Sequence, residues 1–366
     1  MPIAFYAPLK PPNHEVPSGD RQMGRLLLLA LERAGLSPKL ASELRIYLSK
    51  GDAGLDGLQA AAEAEVQRLL AAYESGAEPA PQLWFTYHSY YKSPDLLGPA
   101  IARRLQIPYV TAEASHAPKR AGGPWARAHE INEAVIRRAD LNFHFTDRDR
   151  EGLVRLLGDE SKVHSLPAFL DVNQIPERTV WPADGSVPAH LLTVAMMRRG
   201  VKLQSYQMLA KALSGLGHLS WSLDIVGDGE ARPEVEQAFA ALPQDRLTWH
   251  GRLAPDEIAP LYGQAELYVW PGFEEAYGMA FLEAQAAGLA TVAQKTAGIP
   301  SVVKDGQTGL LTREGDVDAF RAALARLIEN REQLATLGRN ASGFARQERS
   351  VERACQTLKA ALETLL

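Results

Sequence analysis

The chain has 366 residues, of which 46% are hydrophobic and 23% are charged, as is typical of a soluble globular protein with about two domains. Its net charge of −5 gives no bulk electrostatic reason to expect nucleic acid or a membrane surface as a partner. One cysteine, Cys355, excludes an intramolecular disulfide, and no apolar run reaches the roughly 18 residues that a membrane-spanning helix needs.

Short apolar runs alternate with helical patterns through the first half of the chain. A helix is expected over residues 21–34, where Leu26 to Leu29 and Leu31 supply a buried face. Strands are expected at residues 3–7, 83–87, 109–112 and 141–145. The first residues lack a basic region followed by an apolar stretch, so we expect no secretory signal and a cytoplasmic location.

A stretch of weak periodicity follows, from Pro167 to Pro188, and its Asp184-Gly185-Ser186 run indicates an interdomain linker. The alternation of strands and helices then restarts. Strands are expected at residues 191–196, 222–226, 247–250, 267–270 and 290–293, and helices at 205–213, 234–241, 258–263, 279–287, 317–329, 332–344 and 349–365. This alternation of strands and helices predicts an α/β fold in which helices cover both faces of parallel sheets.

We therefore expect one Rossmann-like domain over residues 1–175 and a second over 190–345, with a C-terminal helix over 346–366 that packs back on the first domain. Open parallel sheets bind ligands outside the carboxyl ends of their strands. Two such domains facing each other would form an interdomain cleft that holds one substrate on each wall and excludes water on closing.

The segment 271–288 carries the most specific chemical signal. Glu275 lies in a turn after a predicted strand, and Glu283 lies eight residues later in a helix. The neighbours of Glu283 are apolar, which indicates a partly enclosed carboxylate that needs hydrogen-bond donors. The two hydroxyls of a ribose would supply them, and backbone N–H groups at the start of the helix favour phosphate or sugar oxygens. The alternative is a solvated carboxylate on a helix surface.

Three motifs stand out together in the second half of the chain: Glu275-Ala-Tyr-Gly followed by Leu282-Glu283-Ala, Ile225-Val-Gly-Asp-Gly, and Asp305-Gly-Gln-Thr-Gly-Leu. They resemble the motifs of the family 4 retaining glycosyltransferases of the GT-B architecture, which consist of two facing Rossmann-like domains. The matches occur in family order and cover about residues 190–345. The resemblance implies that the second domain binds a nucleoside-diphosphate sugar, such as a UDP- or GDP-sugar, and that the enzyme needs no further cofactor.

The resemblance also assigns roles to the donor-side residues. Glu283 would hold the ribose and Glu275 would lie beside the sugar ring, with the backbone of Ala276, Tyr277 and Gly278 near the sugar hydroxyls and phosphates. The family places an arginine and a lysine after the first strand of this domain to hold the diphosphate. Arg198 and Lys202 occupy that place with altered spacing, and Arg199 competes with Arg198; solvated turn residues are the alternative.

The loops of the first domain are expected to serve the acceptor. Gly19 lies in a loop that the family uses near the donor phosphates, and Asp20 either joins the site or caps a helix. Polar and aromatic residues follow two further strands, and the family places a histidine near the sugar in this region. His116 or His88 could fill this role, and His116 is the candidate for the catalytic histidine. His88, Tyr90 and Glu113 are acceptor-side candidates; a structural role is the alternative for the two histidines, and core packing for Tyr90.

The resemblance implies a retaining, front-face substitution in which a donor phosphate oxygen takes the proton of the acceptor hydroxyl. We expect metal-independent chemistry, because basic residues are present and no metal-ligand cluster is evident in the sequence. Glycan, lipid-linked and small-molecule acceptors stay open, as does peripheral contact with the inner face of the membrane. The alternatives are a sugar-nucleotide epimerase or hydrolase, or a non-catalytic binding protein. A nicotinamide oxidoreductase is disfavoured, because Arg232 replaces the third glycine of its fingerprint.

Overall fold

The computed structural model describes residues 1–16, 18–178, 187–276 and 278–365. Within these ranges no helix is long and apolar enough to cross a membrane. Contacts divide the chain into two compact units, one of Met1–Ala168 with Val351–Leu366 and one of Phe169–Ser350. The first unit therefore contains both ends of the sequence.

The first unit contains six parallel strands and six helices among its described residues. The strands are β1 (Pro2–Tyr6), β2 (Ser37–Leu40), β3 (Leu83–Tyr87), β4 (Tyr109–Ala112), β5 (Leu141–His144) and β6 (Val163–Ser165). The helices are α1 (Gly19–Arg33), α2 (Leu55–Glu74), α3 (Gly98–Leu105), α4 (Ala126–Arg138), α5 (Asp147–Leu157) and, near the end of the chain, α13 (Val351–Leu362). The strand order is β2-β1-β3-β4-β5-β6.

Aromatic side chains build the centre of this first sheet. Phe5 stacks on Phe85 with ring centroids 5.8 Å apart, and Phe85 stacks on Phe143 at 6.4 Å, so the rings run across three strands. Every residue of β3 is buried, which explains why all of its residues except Thr86 are aliphatic or aromatic. The last helix, α13, packs against α1 and buries Val351 and Leu358.

The second unit also contains six parallel strands among its described residues. They are β7 (Ala189–Val194), β8 (Trp221–Val226), β9 (Leu247–Gly251), β10 (Leu267–Val269), β11 (Ala290–Gln294) and β12 (Gly309–Thr312). The helices are α6 (Val201–Ser214), α7 (Arg232–Phe239), α8 (Pro255–Gln264), α9 (Met279–Ala286), α10 (Ile299–Val302), α11 (Val317–Glu329) and α12 (Arg331–Glu348). The order β12-β11-β10-β7-β8-β9 reverses direction between β7 and β10, as in doubly wound sheets.

The predicted α/β class with two parallel, doubly wound sheets is confirmed, and most predicted elements lie within two or three residues of the observed ones. Several elements of the first unit were not predicted, including β2 and the helices α2 to α5. The strand β2 is half-exposed and contains Pro38, which an edge strand tolerates. A search for runs of apolar residues does not find such a strand. The predicted linker lies partly outside the described residues.

Candidate functional site

The turn between β10 and α9 is built from left-handed backbone. Gly272, Glu274 and Gly278 have φ of 73°, 52° and 59°. A Cβ on Gly278 would lie 2.5 Å from the ring of Phe281, and one on Gly272 would lie 2.6 Å from Ile299 Cδ1. These two positions therefore require glycine, and the resulting turn directs Glu275 toward α6.

Lys202 and Glu275 form the central ion pair of this turn. Lys202 Nζ lies 2.5 Å from Glu275 Oε2, and each side chain is only about one-fifth exposed, at 21% and 22%. The same ammonium lies 5.5 Å from the centroid of the Trp270 ring, whose indole N–H points at Glu275 Oε2 from 3.4 Å. The structure thus brings together two predicted residues that are 73 positions apart in sequence.

Hydrogen bonds fix this turn on both sides. The Phe273 N–H donates to Ser205 Oγ of α6 at 3.1 Å. The Gly298 N–H donates to the carbonyl of Glu275 at 3.0 Å. The turn is therefore held by the helix that carries Lys202 and by the loop after β11, so that the position of the Glu275 carboxylate is set by backbone contacts as well as by its ion pair.

Glu283 is oriented by a buried tyrosine from α8. The Tyr262 hydroxyl donates to Glu283 Oε2 at 2.9 Å. Burial raises the pKa of Tyr262 well above its ordinary value, and the nearby Glu283 charge adds to this shift, so the hydroxyl keeps its proton. A carboxylate has about four lone-pair directions, and the bond from Tyr262 occupies one of them.

Tyr268 connects the two predicted carboxylates electrostatically. Burial raises the pKa of Tyr268 well above its ordinary value, and the charges of Glu275, first, and of Glu283 also contribute. Its hydroxyl donates to the carbonyl of Val194 at 3.1 Å, at the carboxyl end of β7. Both carboxylates are therefore within electrostatic reach of one buried hydroxyl beside the strand ends, where an open parallel sheet binds ligands.

The two adjacent arginines differ in their contacts. The Arg199 guanidinium lies 3.1 Å from Glu234 of α7 and is 71% exposed, so it is directed away from Glu275. Arg198 is also exposed, and it makes no ion pair with the described residues. Lys202 is thus the most enclosed cation of the predicted set. Ala276 is exposed, and Tyr277 lies outside the described residues.

The Gly227-Asp228-Gly229 segment has a structural explanation. A Cβ on Gly227 would lie 1.9 Å from the carbonyl oxygen of Ala195, and one on Gly229 would lie 2.3 Å from that of Met197. Hydrogen bonds pair the two loops, including one from the Met197 N–H to the Asp228 carbonyl at 3.0 Å. These glycines let the loop after β8 support the loop that leads to Lys202.

In the first unit, three side chains meet near the carboxyl ends of the strands, and the charge of a fourth acts on two of them. His88 follows β3 and its Nδ1 lies 2.9 Å from Asp20 Oδ1 and 3.7 Å from Glu113 Oε2. The charge of Asp149 acts on both His88 and Glu113. The structure therefore brings together three predicted residues and adds Asp149, which the sequence reasoning missed.

Burial and charge shift the pKa values of this group strongly. Burial alone would lower the pKa of His88, but the charges of Glu113 and Asp20 and the Asp20 hydrogen bond raise it to about 9. Burial raises the pKa of Glu113 to about 8, and it also raises that of Asp149. The pKa of Asp20 would rise on burial, yet His88 brings it below its ordinary value. The result is an imidazolium held among carboxyl groups.

Backbone strain coincides with both sites. Among the described residues, the non-glycine positions with positive φ include His88 (59°) and Glu113 (57°) in the first unit and Glu274 (52°) and Ala297 (45°) in the second. Each of these four follows a strand: β3, β4, β10 and β11 respectively. Such conformations cost of order 1–3 kcal/mol and cluster at functional sites, so the strain supports the assignment of these strand ends as binding regions.

Other first-unit predictions have different outcomes. Ser18, not Asp20, caps α1, since its side chain accepts from the Arg21 N–H at 3.2 Å; the capping alternative for Asp20 is therefore wrong. Gly19 is the first residue of α1, and a Cβ there would meet nothing within 4 Å. Tyr90 packs on His88 with ring centroids 5.2 Å apart.

His116 lies in a cluster separate from these contacts. Its Nε2 lies 2.8 Å from Glu133 Oε1, and its Nδ1 lies 3.2 Å from the carbonyl of Gly152. Its ring also packs against His129, with centroids 5.4 Å apart. Both ring nitrogens therefore face protein acceptors, and a catalytic role for His116 stays a prediction. The i,i+4 spacing of His129 and Glu133 was the sequence signal that could have identified this cluster.

Known proteins resemble this chain in sequence and fold. The family model for group 1 glycosyl transferases matches residues 178–344. The D-inositol 3-phosphate glycosyltransferase of Nocardia farcinica is 28% identical over 290 residues, which cover 74% of this chain and 64% of the relative. The sulfoquinovosyl transferase SQD2 of Arabidopsis thaliana is 29% identical over 157 residues, which cover 42% of this chain and 30% of the relative. The chain thus spans less than two-thirds of the length of these relatives.

Two solved structures share the fold over the whole chain. Sucrose-phosphate synthase from Thermosynechococcus elongatus has a TM-score of 0.74 at 18% identity, with 100% of this chain and 99% of that chain covered. HepE of Anabaena, solved in complex with UDP, has a TM-score of 0.74 at 17% identity, with both chains fully covered at 100%. These likenesses confirm the predicted two-domain α/β architecture.

Proposed function

We propose that this chain transfers a sugar from a nucleoside-diphosphate sugar to an acceptor hydroxyl, with retention of configuration; the match of residues 178–344 to the family model for group 1 glycosyl transferases supports this. The observation that carries the proposal is the Lys202–Glu275 ion pair on the turn that leads to Glu283. This arrangement offers a cation for a diphosphate and an oriented carboxylate for a ribose at the same strand ends.

The donor is bound in this proposal by charge and by hydrogen bonds. The Lys202 ammonium has three donors, of which Glu275 takes one, so the others can bind phosphate oxygens. Glu283, oriented by Tyr262, accepts from the ribose hydroxyls. Because HepE was solved with UDP, uracil is the first base to test. Arg198 and Arg199 contribute less than Lys202 in this proposal, since both are exposed.

The transfer step needs charge stabilisation more than proton transfer from the protein. The acceptor oxygen bonds to the anomeric carbon on the face from which the phosphate oxygen departs, and that phosphate oxygen takes the acceptor proton. The leaving diphosphate gains negative charge, which the Lys202 ammonium stabilises. Glu275 lies beside Lys202 and stabilises positive charge that develops on the sugar ring. We propose that no divalent ion acts on the diphosphate.

The first unit binds the acceptor in this proposal. His88, Asp20 and Glu113 supply donors and acceptors for hydroxyl groups at the carboxyl ends of its strands. His88 suits the sugar-side role better than His116, whose two ring nitrogens both face protein oxygen atoms. Tyr90, stacked beside His88, offers an aromatic face to the acceptor.

A ligand screen followed by a transfer assay tests the proposal. UDP, GDP and ADP are compared for their effect on thermal unfolding, and we expect one of them to stabilise the protein. The matching sugar nucleotide is then incubated with candidate acceptors without added Mg²⁺ or Mn²⁺, and the anomeric configuration of the product is read by NMR. Stabilisation by none of the nucleotides, an inverted product, or strict dependence on an added divalent ion would each contradict a stated part of the proposal. Release of free sugar or of an isomerised donor would indicate the hydrolase or epimerase instead.

A further inference from the structure

Three side chains of the first unit meet in a cluster that the proposed sugar transfer does not use. His129 and Glu133 lie one turn apart on α4, and His116 approaches them from the segment after β4. His116 Nε2 lies 2.8 Å from Glu133 Oε1, and His129 Nδ1 lies 3.7 Å from that same oxygen. The two imidazoles are almost fully buried, whereas the Glu133 side chain is 30% exposed.

The hydrogen bonding of His116 is unbalanced without a cation. Its Nδ1 faces the Gly152 carbonyl at 3.2 Å, and its Nε2 faces the Glu133 carboxylate at 2.8 Å; both are acceptors. A neutral imidazole carries one proton, so it can donate to only one of them. If Nδ1–H donates to Gly152, the Nε2 lone pair is directed at a carboxylate oxygen. A positive charge at this point, supplied either by a second ring proton or by a bound metal ion, would convert that repulsion into attraction.

His129 shows a second imbalance. Its Nε2 is buried and has no hydrogen-bond partner among the described residues, while its Nδ1 is 3.7 Å from Glu133, too far for a hydrogen bond. A buried imidazole without partners is costly. A metal ion bound to Nδ1 would give this ring one strong interaction at the cluster, and Nε2 would stay without a partner among the described residues. Two imidazoles and one carboxylate are a donor set that transition metals such as zinc prefer.

The spacing of the three groups agrees with tetrahedral coordination. Bonds of about 2.0–2.1 Å at a tetrahedral ion place two ligand atoms about 3.3 Å apart. The two measured separations, 2.8 and 3.7 Å, lie on either side of this value, and all three ligand atoms lie within 4.8 Å of one another. The Gly152 carbonyl accepts the second N–H of His116, as backbone carbonyls do for histidines at metal sites.

We propose that His116, His129 and Glu133 bind one divalent transition-metal ion of the zinc class, with water at the fourth position. The exposed edge of Glu133 provides the path for the ion and the place for the water. The ion would connect α4 to the segment that leads from Glu113, and through Gly152 it would reach α5. Its role is therefore to stabilise the first unit, and it stands independently of the proposed sugar transfer.

Cobalt titration of the full-length chain tests this site, because Co²⁺ in a zinc-type site absorbs in the visible region. The chain is first treated with a chelator and then titrated with Co²⁺, and binding is followed by absorbance, metal content and thermal unfolding. We expect one equivalent bound, a visible band of tetrahedral intensity and a raised unfolding temperature. Absence of that band in the wild-type chain would overturn the proposal.

The variants distinguish this site from adventitious binding. Glu133→Gln and His129→Asn should each weaken Co²⁺ binding at least about 10-fold. Glu130→Gln, on the exposed side of the same helix, should bind as the wild type does. Circular dichroism of each variant establishes that the helix content is unchanged. If Glu133→Gln folds and binds Co²⁺ as tightly as Glu130→Gln, the assignment is wrong.

Discussion

Lys202 is the side chain whose removal tests the donor site most selectively within the second unit. Lys202→Met keeps an apolar stem of similar length but removes the ammonium, which lies 2.5 Å from Glu275 Oε2. The indole N–H of Trp270, at 3.4 Å, is too distant to compensate for the loss. Glu275 is then a largely enclosed carboxylate without its cation, and a bound diphosphate loses the same positive charge.

The expected magnitudes follow from the burial of the pair. Both side chains are about one-fifth exposed. The stability lost on removing Lys202 should therefore lie between the stability lost on breaking a surface ion pair and that lost on breaking a fully buried one. We expect the free energy of unfolding to fall by about 1–2 kcal/mol. Because the leaving diphosphate loses one preorganised charge, kcat should fall by about 10²–10³. Adding Glu275→Gln should restore roughly 0.5 kcal/mol or more of stability, since the unpaired charge disappears.

Urea unfolding and a transfer assay at saturating donor measure the two effects separately. Arg199→Met is the matched control, because Arg199 is exposed and pairs with Glu234 instead of Glu275. It should change the free energy of unfolding by less than about 0.5 kcal/mol and lower kcat far less than Lys202→Met does. A wild-type kcat in Lys202→Met, or a larger loss in Arg199→Met than in Lys202→Met, would refute the reasoning.

Three further predictions concern single contacts. Tyr262→Phe removes the hydroxyl that orients Glu283, and it should weaken nucleoside diphosphate binding about 5–10-fold by calorimetry. Gly227→Ala should lower the free energy of unfolding by at least about 2 kcal/mol in urea, because its Cβ would lie 1.9 Å from the Ala195 carbonyl oxygen. Raising the pH from 6.5 toward 9 should lower the free energy of unfolding by up to about 3 kcal/mol through His88, whose folded-state pKa is about 9 against an ordinary 6.5.

The sign of the pH effect follows from proton binding. Between its ordinary pKa of 6.5 and its folded pKa of about 9, His88 holds a proton that the unfolded chain has released, so stability is lost as pH rises through this window. Glu113 also lowers the free energy of unfolding as the pH rises, up to about pH 8, because its raised pKa lets the folded chain keep a proton that the unfolded chain has released. His88→Asn, which tolerates the positive φ, should reduce the slope; an unchanged slope would contradict the pKa assignment.

Matched variants also control the other two predictions. Gly217→Ala introduces a Cβ that meets nothing within 4 Å, so its stability should stay near wild type; a loss equal to that of Gly227→Ala would point to a cause other than the clash. Tyr206→Phe removes a hydroxyl that bonds to the Ala195 carbonyl and does not touch Glu283. Equal loss of affinity in Tyr206→Phe and Tyr262→Phe would argue against a specific role for Tyr262.

The family resemblance placed Lys202 and Glu275 in one donor site, and the structure brings these two side chains together. The strand order explains their contact, because β7 and β10 are neighbours in the sheet although they are not consecutive in the chain, and parallel strands place their following loops at one edge. Periodicity located β10 and α9 within one residue of the observed ends. The choice among the basic residues required the structure, because only the fold directs Arg199 toward Glu234.

The first unit was less predictable for a physical reason. The residues of its charged group come from four separate loops and helices. The orientation of His88 and Glu113 depends on positive-φ backbone conformations that no local sequence pattern indicates. Asp149 was missed because it lies within an ordinary charged helix. The cluster of His116, His129 and Glu133 was missed because only the fold brings His116 to the i,i+4 pair of His129 and Glu133.

The central claim is that Glu283 binds the ribose of a nucleoside diphosphate. Calorimetry of the wild-type chain and of Glu283→Gln should compare the ribonucleoside diphosphate selected by the thermal screen with its 2′-deoxy analogue. We expect the wild type to prefer the ribonucleotide by about 10-fold, equal to about 1.4 kcal/mol, and Glu283→Gln to lose most of that preference. Equal discrimination by both proteins would contradict the account.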